Sequence, residues 1–273
     1  MGASLHFTKM EGIGNDYIYV EEKDWAAAGS PDKPSLAKRL SDRHFGIGGD
    51  GVIFINPSEK ADFEMEMYNA DGSRGAMCGN GIRCVGKYVF DHGLTEKTSL
   101  SIESMGAVKY LNLQTEGNAV SSVTVDMGKP EILEEELDLE VQGKHYPMVS
   151  VSTGNPHAVT FVGSVDTFPV TELGPFFENH PHFPDRTNTE FVEILDRGNI
   201  KMRVYERGSG ETLACGTGAC ASVTAAVLKG HCDRETVVHL LGGKLKISWD
   251  EKSGHLFMEG PAKEVFSGEI LAG

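Results

Sequence analysis

Apolar residues recur along this chain in two rhythms. Leu5 and Phe7 alternate with polar neighbours inside Met1–Lys9, the two-residue period of a half-buried strand. The same period marks Val108–Leu113, Val120–Met127, His157–Val162, Leu245–Trp249 and His255–Glu259, and it returns in Phe63, Met65 and Met67 and in Ile200, Met202 and Val204. Helical signals interrupt these strands at Ile82–His92 and Ala219–Lys229, each followed by a glycine (Gly93, Gly230) where a left-handed residue closes a helix. The second of these, rich in Ala and Val, has almost no charged face, so other elements must enclose it. An amphipathic helix over Leu36–Arg43 and a Pro-rich turn region near Pro175–Pro184 lie outside that pattern.

The pattern repeats. Laid so that Cys78 falls on Cys215, residues 65–117 and 202–254 share Met65/Met202, Tyr68/Tyr205, Gly79/Gly216, Gly81/Gly218, Gly93/Gly230, Gly106/Gly243, Lys109/Lys246 and Gly117/Gly254. The shared glycines fall where turns and helix ends are expected. In each half a strand runs through a polar loop into C-G-x-G and then a helix. The expected fold is therefore α/β, of the α+β type, with two pseudo-symmetric halves. Each is a curved, mostly antiparallel sheet wrapped around a central helix, with the active site in the cleft between the halves. The expected limits are residues 1–125 for the first half, with 263–273 a candidate to complete its sheet, and 126–262 for the second.

Composition narrows the function. The 273 residues are 40% hydrophobic and 24% charged, which suits a folded globular chain. Lys and Arg number 25 against 40 Asp and Glu, and the net charge of −15 argues against nucleic acid or anionic lipid as a partner. No apolar run approaches the roughly 20 residues of a membrane span, and the start reads as a strand rather than an export signal. Five cysteines, an odd number, suit free thiols in a reducing compartment, the cytoplasm or, behind a removed transit peptide, a plastid stroma. Their spacing offers no structural zinc set, and no metal is expected.

The twin C-G-x-G sites carry the chemistry. A cysteine at a helix start meets unpaired N–H groups and the positive end of the dipole, which favour thiolate. Glycines there let the backbone approach a bound carboxylate. A duplication that faces two such sites suits inversion at an α-carbon, with one sulfur removing the proton and the other returning one to the opposite face. With no electron-sink cofactor, the charge that develops needs preorganised donors, and paired helix starts are such donors. Asn69 and Glu206 occupy equivalent positions before the two cysteines, and Arg207 follows the latter, an asymmetry that suits an asymmetric ligand.

These residues resemble the diaminopimelate epimerase family over essentially the whole chain. The resemblance rests on G-I-G-N-D-Y (Gly12–Tyr17), Y-N-A-D-G-S (Tyr68–Ser73), M-C-G-N-G-I-R-C (Met77–Cys84), G-N-P-H (Gly154–His157), R-T-N-T-E-F-V (Arg186–Val192), Y-E-R-G-S-G-E-T (Tyr205–Thr212) and A-C-G-T-G (Ala214–Gly218). It implies a cofactor-independent epimerase of lysine biosynthesis that interconverts LL- and meso-2,6-diaminoheptanedioate, in a homodimer. Cys78 and Cys215 would be the acid/base thiols, with His157 and Glu206 as the neighbours that tune them. Asn15, Asn69, Asn155, Asn188, Glu206 and Arg207 would hold the substrate's ammonium and carboxylate groups. The backbone N–H groups of Gly79, Asn80, Gly216 and Thr217 would cradle the carboxylate at the reacting carbon. The chain departs from the family at Gly51, where many relatives carry glutamine. The proline racemases are similar too, but tend to show histidine where Asn80 stands.

Other readings remain open at this level. A cysteine hydrolase built on Cys78, His157 and an asparagine leaves Cys215 unexplained, and a thiol redox module would use the two cysteines to form a disulfide. Cys84 and Cys220 read as small buried hydrophobes, and Cys232 as incidental. The acidic run Glu131–Glu140 reads as a solvated turn or edge, and Asp50–Gly51 and Asp71–Gly72 as turn dipeptides.

Overall fold

The computed structural model describes residues 3–75 and 77–271. The chain divides into two compact units, Met1–Val125 with Gly260–Gly273, and Asp126–Glu259.

In the first unit the strands are β1 (Ser4–Gly12), β2 (Asn15–Glu21), β3 (Gly51–Asn56), β4 (Phe63–Asn69), β5 (Ser99–Ser104), β6 (Ala107–Glu116), β7 (Ala119–Gly128) and the late β17 (Lys263–Leu271). Starting from β17, the neighbours are β1, β2, β3, β4, β5, β6 and β7. Only β2–β3 and β4–β5 are parallel. A parallel pair needs a crossover. The first crossover holds α1 (Glu22–Ala27) and α2 (Lys33–Ser41), and the second holds α3 (Gly79–Asp91).

The second unit repeats the scheme. From β8 (Glu131–Val141) the order is β9 (Lys144–Ser152), β10 (Pro156–Phe161), β11 (Asn188–Asp196), β12 (Asn199–Glu206), β14 (Glu235–Leu240), β15 (Gly243–Trp249) and β16 (Leu256–Gly260). The parallel pairs are again the third and the fifth, β10–β11 and β12–β14. Their crossovers carry α4 (Val170–Glu178), and the short β13 (Gly210–Thr212) with α5 (Gly216–Leu228). The duplication seen in the cysteine segments thus extends to the pairing sense of every strand.

Each sheet curves around one helix. In the first unit α3 packs on β1, β2, β6 and β17; in the second α5 packs on β9, β10, β11, β12, β14 and β15. The all-round apolar surface of α5 is buried from Gly216 through Ala226, apart from Thr217. A second layer lies on the other face. Leu5, Phe7, Ile18, Val20, Val52 and Phe54 meet Leu36, Ala37 and Leu40 of α2, while Met148, Ala158 and Phe191 meet Val170 and Phe177 of α4. Inward and outward residues of one strand therefore serve two cores.

The structure corrects two local expectations. Pro175 lies inside α4 rather than in a turn, because Val170 and Phe177 pack into the apolar cluster on β10 and β11, and that burial outweighs the one helical hydrogen bond proline removes. The α2 helix ends at Ser41, before Arg43. The acidic run is strand β8, exposed over Glu131–Glu136 and anchored by buried Leu137, Leu139 and Val141. Of the strand expected over Met1–Lys9, Met1 and Gly2 lie outside the described residues. No helix among the described residues is long and apolar enough to cross a membrane.

Candidate active site

Both central helices start on cysteine. Cys78 is the N-cap of α3 and Cys215 that of α5, each in an extended backbone conformation, and the helices close at Gly93 and Gly230 with φ of 70° and 71°. Cys78 Sγ accepts from Gly81 N at 3.3 Å and Cys215 Sγ from Gly218 N at 3.4 Å. The cysteine carbonyls take the next N–H groups, those of Ile82 and Ala219, each at 2.9 Å. The N–H groups of Gly79 and Asn80, and of Gly216 and Thr217, are left without an acceptor inside their helices. Donors and dipole then point at the same place, which is the composition of a carboxylate site.

Around Cys78 the first unit gathers Asn15, Tyr17 and Asp50. Cys78 Sγ donates to Asn15 Oδ1 at 3.2 Å, and Asn15 Nδ2 donates to Asp50 Oδ2 at 2.6 Å. Arg43 Nη2 donates to Asp50 Oδ1 at 3.0 Å and to Asp16 Oδ1 at 2.7 Å. The Tyr17 phenol is held neutral by burial and by the charges of Cys78 and Asp50. Asn80 turns its side chain the other way, accepting at Oδ1 from the fully buried Arg83 at 2.9 Å, so its backbone N–H is what faces the helix mouth. Asn69 ends β4 in a tight turn, its Nδ2 donating to Ser73 Oγ at 3.0 Å.

At Gly51 the backbone runs in close contact with its neighbours. A Cβ there would run into the backbone oxygen of Tyr68 and lie 2.9 Å from the Tyr17 ring. This backbone has no room for glutamine.

The second unit gathers Cys215, Glu206, Thr217, His157, Asn155 and Glu190. Glu206 ends β12, accepts from Thr212 Oγ1 and hydrogen-bonds Cys215. Burial pushes the Glu206 carboxyl up from the ordinary range, against those two hydrogen bonds. Cys215 Sγ also meets Thr217 Oγ1 at 3.4 Å. His157 stands on β10 with Nδ1 2.7 Å from Glu190 Oε1 on the parallel neighbour β11, and Nε2 3.1 Å from Asn155 Oδ1. Asn188 donates from Nδ2 to Pro156 O at 2.8 Å and accepts at Oδ1 from Arg207 N at 3.0 Å, which ties the Glu206–Arg207 turn to the sheet. Arg207 itself is exposed and donates to Asp185 O at 3.2 Å.

At Cys215 the thiolate-favouring effect of the helix start is outweighed. Burial pushes its thiol well above the ordinary range, and the charges of Glu206 and Glu190 add to the rise, outweighing the hydrogen bonds from Thr217 and Gly218. A helix N-terminus acts locally, whereas two carboxylates in a dry pocket act with little screening.

Two site residues escape the linear reading. Asp50 looks like half of a turn dipeptide, and Glu190 like one polar letter in a buried strand. The signal for Glu190 was its place two residues after Asn188, on the same face of β11. Among the described residues no cluster of His, Cys, Asp and Glu is arranged to hold a metal ion.

Comparison with known proteins shows the family and the fold. The family model described as diaminopimelate epimerase matches residues 7–133 and 149–265. The diaminopimelate epimerase of Acetivibrio thermocellus is 50% identical over 279 residues, covering 97% of this chain and 98% of that one. That of Leptospira biflexa is 52% identical over 281 residues, with 97% and 99% covered. Among solved structures, a phenazine biosynthesis protein of the PhzF family from Bacillus anthracis superposes with a TM-score of 0.76 at 18% identity, covering 98% of this chain and 99% of that one. A hydroxyproline epimerase from Agrobacterium vitis gives 0.74 at 13% identity, with 99% and 92% covered. At those identities the two structures share the fold. The duplicated cysteine-capped helices, the seven motifs and the full-length relatives together place this chain in the diaminopimelate epimerase family.

Proposed function

We propose that this chain epimerises diaminopimelate, inverting one α-carbon between LL- and meso-2,6-diaminoheptanedioate for lysine biosynthesis, with Cys78 and Cys215 as the acid/base pair. One observation carries the reading. Both helices begin on a cysteine that caps two N–H groups and leaves two more aimed outward, so a sulfur and a carboxylate cradle occur together twice.

The chemistry balances without an electron carrier. A thiolate on one face takes the α-proton, and the thiol on the other face gives its proton to the opposite lobe of the carbanion. The two sulfurs end with their protonation exchanged, and nothing is oxidised or reduced. Negative charge delocalised into the substrate carboxylate is met by the N–H groups of Gly79, Asn80, Gly216 and Thr217. Burial and the charges of Glu206 and Glu190 raise the Cys215 thiol, and Glu206, which hydrogen-bonds it, is the group placed to exchange a proton with it. His157 serves as the second tuning group, oriented by Glu190. Asn15, Asn69, Asn155, Asn188 and Arg207 hold the ammonium and carboxylate groups; the exposed Arg207 guanidinium suits a bidentate carboxylate contact. The active enzyme is a homodimer, and its five free cysteines suit a reducing compartment, the cytoplasm or a plastid stroma.

The test is solvent deuterium incorporation into diaminopimelate by dialysed enzyme, with no pyridoxal phosphate or metal added. The expected result is exchange by the wild type and its loss in Cys78→Ala and Cys215→Ala. Full turnover by either variant overturns the two-thiol reading, and exchange with proline in place of diaminopimelate overturns the substrate.

A further inference from the structure

We propose that Asp50 is a positioning residue for Cys78 and that it works through Asn15. The inference rests on the acid/base role proposed for Cys78.

The argument is one of donors and acceptors. A carboxylate only accepts hydrogen bonds, whereas an amide side chain has one accepting and one donating end. Asp50 Oδ2 lies 2.6 Å from the Asn15 amide, so that end must be the NH2 group; a flipped amide would set two oxygens against each other. The carbonyl end is thereby turned to Cys78, where Oδ1 stands 3.2 Å from Sγ and takes the thiol proton. Asp50 thus sets which end of the Asn15 amide Cys78 meets: an acceptor, which holds the thiol proton when Cys78 is the acid of the pair, instead of a further N–H donor beside that of Gly81, which would favour thiolate.

Asp50 is itself fixed. Its Oδ2 accepts from Asp16 N at 3.1 Å and its Oδ1 from Arg43 Nη2 at 3.0 Å. Its backbone N–H donates to Asp16 O at 2.7 Å and its carbonyl accepts from Ala70 N at 3.0 Å. Arg43 is in turn held by Asp16, and Asp16 is paired with Lys9 at 2.6 Å. The carboxylate that sets the amide therefore has no freedom to follow it if it turns. The Tyr17 hydroxyl hydrogen-bonds both Cys78 and Asn15, Tyr19 from β2 and Cys84 from the same helix also act on Cys78, and burial keeps all three neutral. Gly51 completes the device, since the backbone after Asp50 runs too close to Tyr68 and Tyr17 to admit a side chain.

The experiment is the pH dependence of Cys78 alkylation by iodoacetamide in the intact resting protein, read on its own peptide by mass spectrometry. The other four cysteines are buried. Asp50→Asn lets the Asn15 amide turn an N–H to sulfur, and the alkylation midpoint is expected to fall by about one pH unit. In an Asn15→Ala background the same substitution should move the midpoint by less than half as much, the non-additivity expected of a relay. No shift in the single variant, or an equal shift with and without Asn15, overturns the proposal, the latter because charge acting through space would then suffice. Should Asp50→Asn fail to fold, neutron diffraction from the wild type decides: amide deuterons of Asn15 on the Asp50 side support the proposal, and deuterons on the Cys78 side overturn it. None of these readouts requires turnover, so loss of the two-thiol reading would be seen separately in the deuterium exchange of Cys78→Ala.

Discussion

His157 Nδ1 and Glu190 Oε1 lie 2.7 Å apart on neighbouring parallel strands, both side chains wholly buried. The second carboxylate oxygen, Oε2, finds no hydrogen-bond partner among the described residues. Glu190→Ala would leave the buried imidazole without its Nδ1 partner, and leaving such a polar group unsatisfied costs roughly 1–3 kcal/mol. Urea unfolding is expected to show a loss of that size. Glu190→Gln, which keeps an acceptor for Nδ1, should lose less than half as much. Equal losses would mean that the charge of Glu190, and not its hydrogen bond, is what the fold uses.

Glu190 also faces the start of α5. A Cβ at Gly218 would lie 2.6 Å from Glu190 Oε1, and Gly218 N is the donor to Cys215 Sγ. Gly218→Ala must therefore displace either the carboxylate or the helix mouth. The expected outcome is a folded protein with kcat down about a hundredfold, as misplacement of a catalytic group by an ångström costs. Wild-type kcat with native circular dichroism would show that the mouth tolerates the shift.

Cys215 should be slow to alkylate at neutral pH even after mild loosening of the fold, because its thiol is pushed up by burial, Glu206 and Glu190. Removing one carboxylate charge weakens that push. Glu206→Gln is therefore expected to lower the pH at which Cys215 becomes reactive, measured by peptide mass spectrometry. An unchanged or higher midpoint would contradict an electrostatic cause for the raised thiol.

The same shift has a consequence for stability. In the folded state Cys215 holds its proton to higher pH than in the unfolded chain, where the reference is 9.0. Between those values the folded state binds more protons, so stability falls as pH rises. Cys84, pushed by burial to about 12, adds to the same trend. Below pH 9 both contributions are fully present. Thermal unfolding between pH 8 and 11 should show a falling Tm, and the fall should be shallower in Cys215→Ala.

Gly51→Ala and Gly51→Gln are expected to destabilise the first unit by roughly 3 kcal/mol, the upper range for forcing atoms into a packed site. The obstacle is backbone, the Tyr68 carbonyl, which cannot rotate away. A well-folded Gly51→Gln variant would show that β3 and β4 can separate locally.

What could be read from the linear chain was what local chemistry decides. The helices after Cys78 and Cys215 announce themselves through an N-cap, small residues in the first turn and a closing glycine, all within about four turns of backbone. Glu190 could not be read that way. Its partner is 33 residues away, and the two meet only because β10 and β11 are parallel with His157 opposite Asn188. Asp50 was hidden for a similar reason, because Asn15 reaches it through the pairing of β2 with β3, where Tyr17 stands opposite Gly51. Pro175 misled because proline marks a turn unless a buried face outweighs it, and that face belongs to strands elsewhere in the chain.

Strand β17 closes the first unit by pairing Leu271 with Ser4, although everything between Asp126 and Glu259 belongs to the second. A ribosome releasing this chain in order therefore delivers the later unit whole while the earlier one still lacks its edge partner. The apolar residues of β1 stay uncovered on that side until the last strand emerges, so the half that is made first is the half that must be finished last.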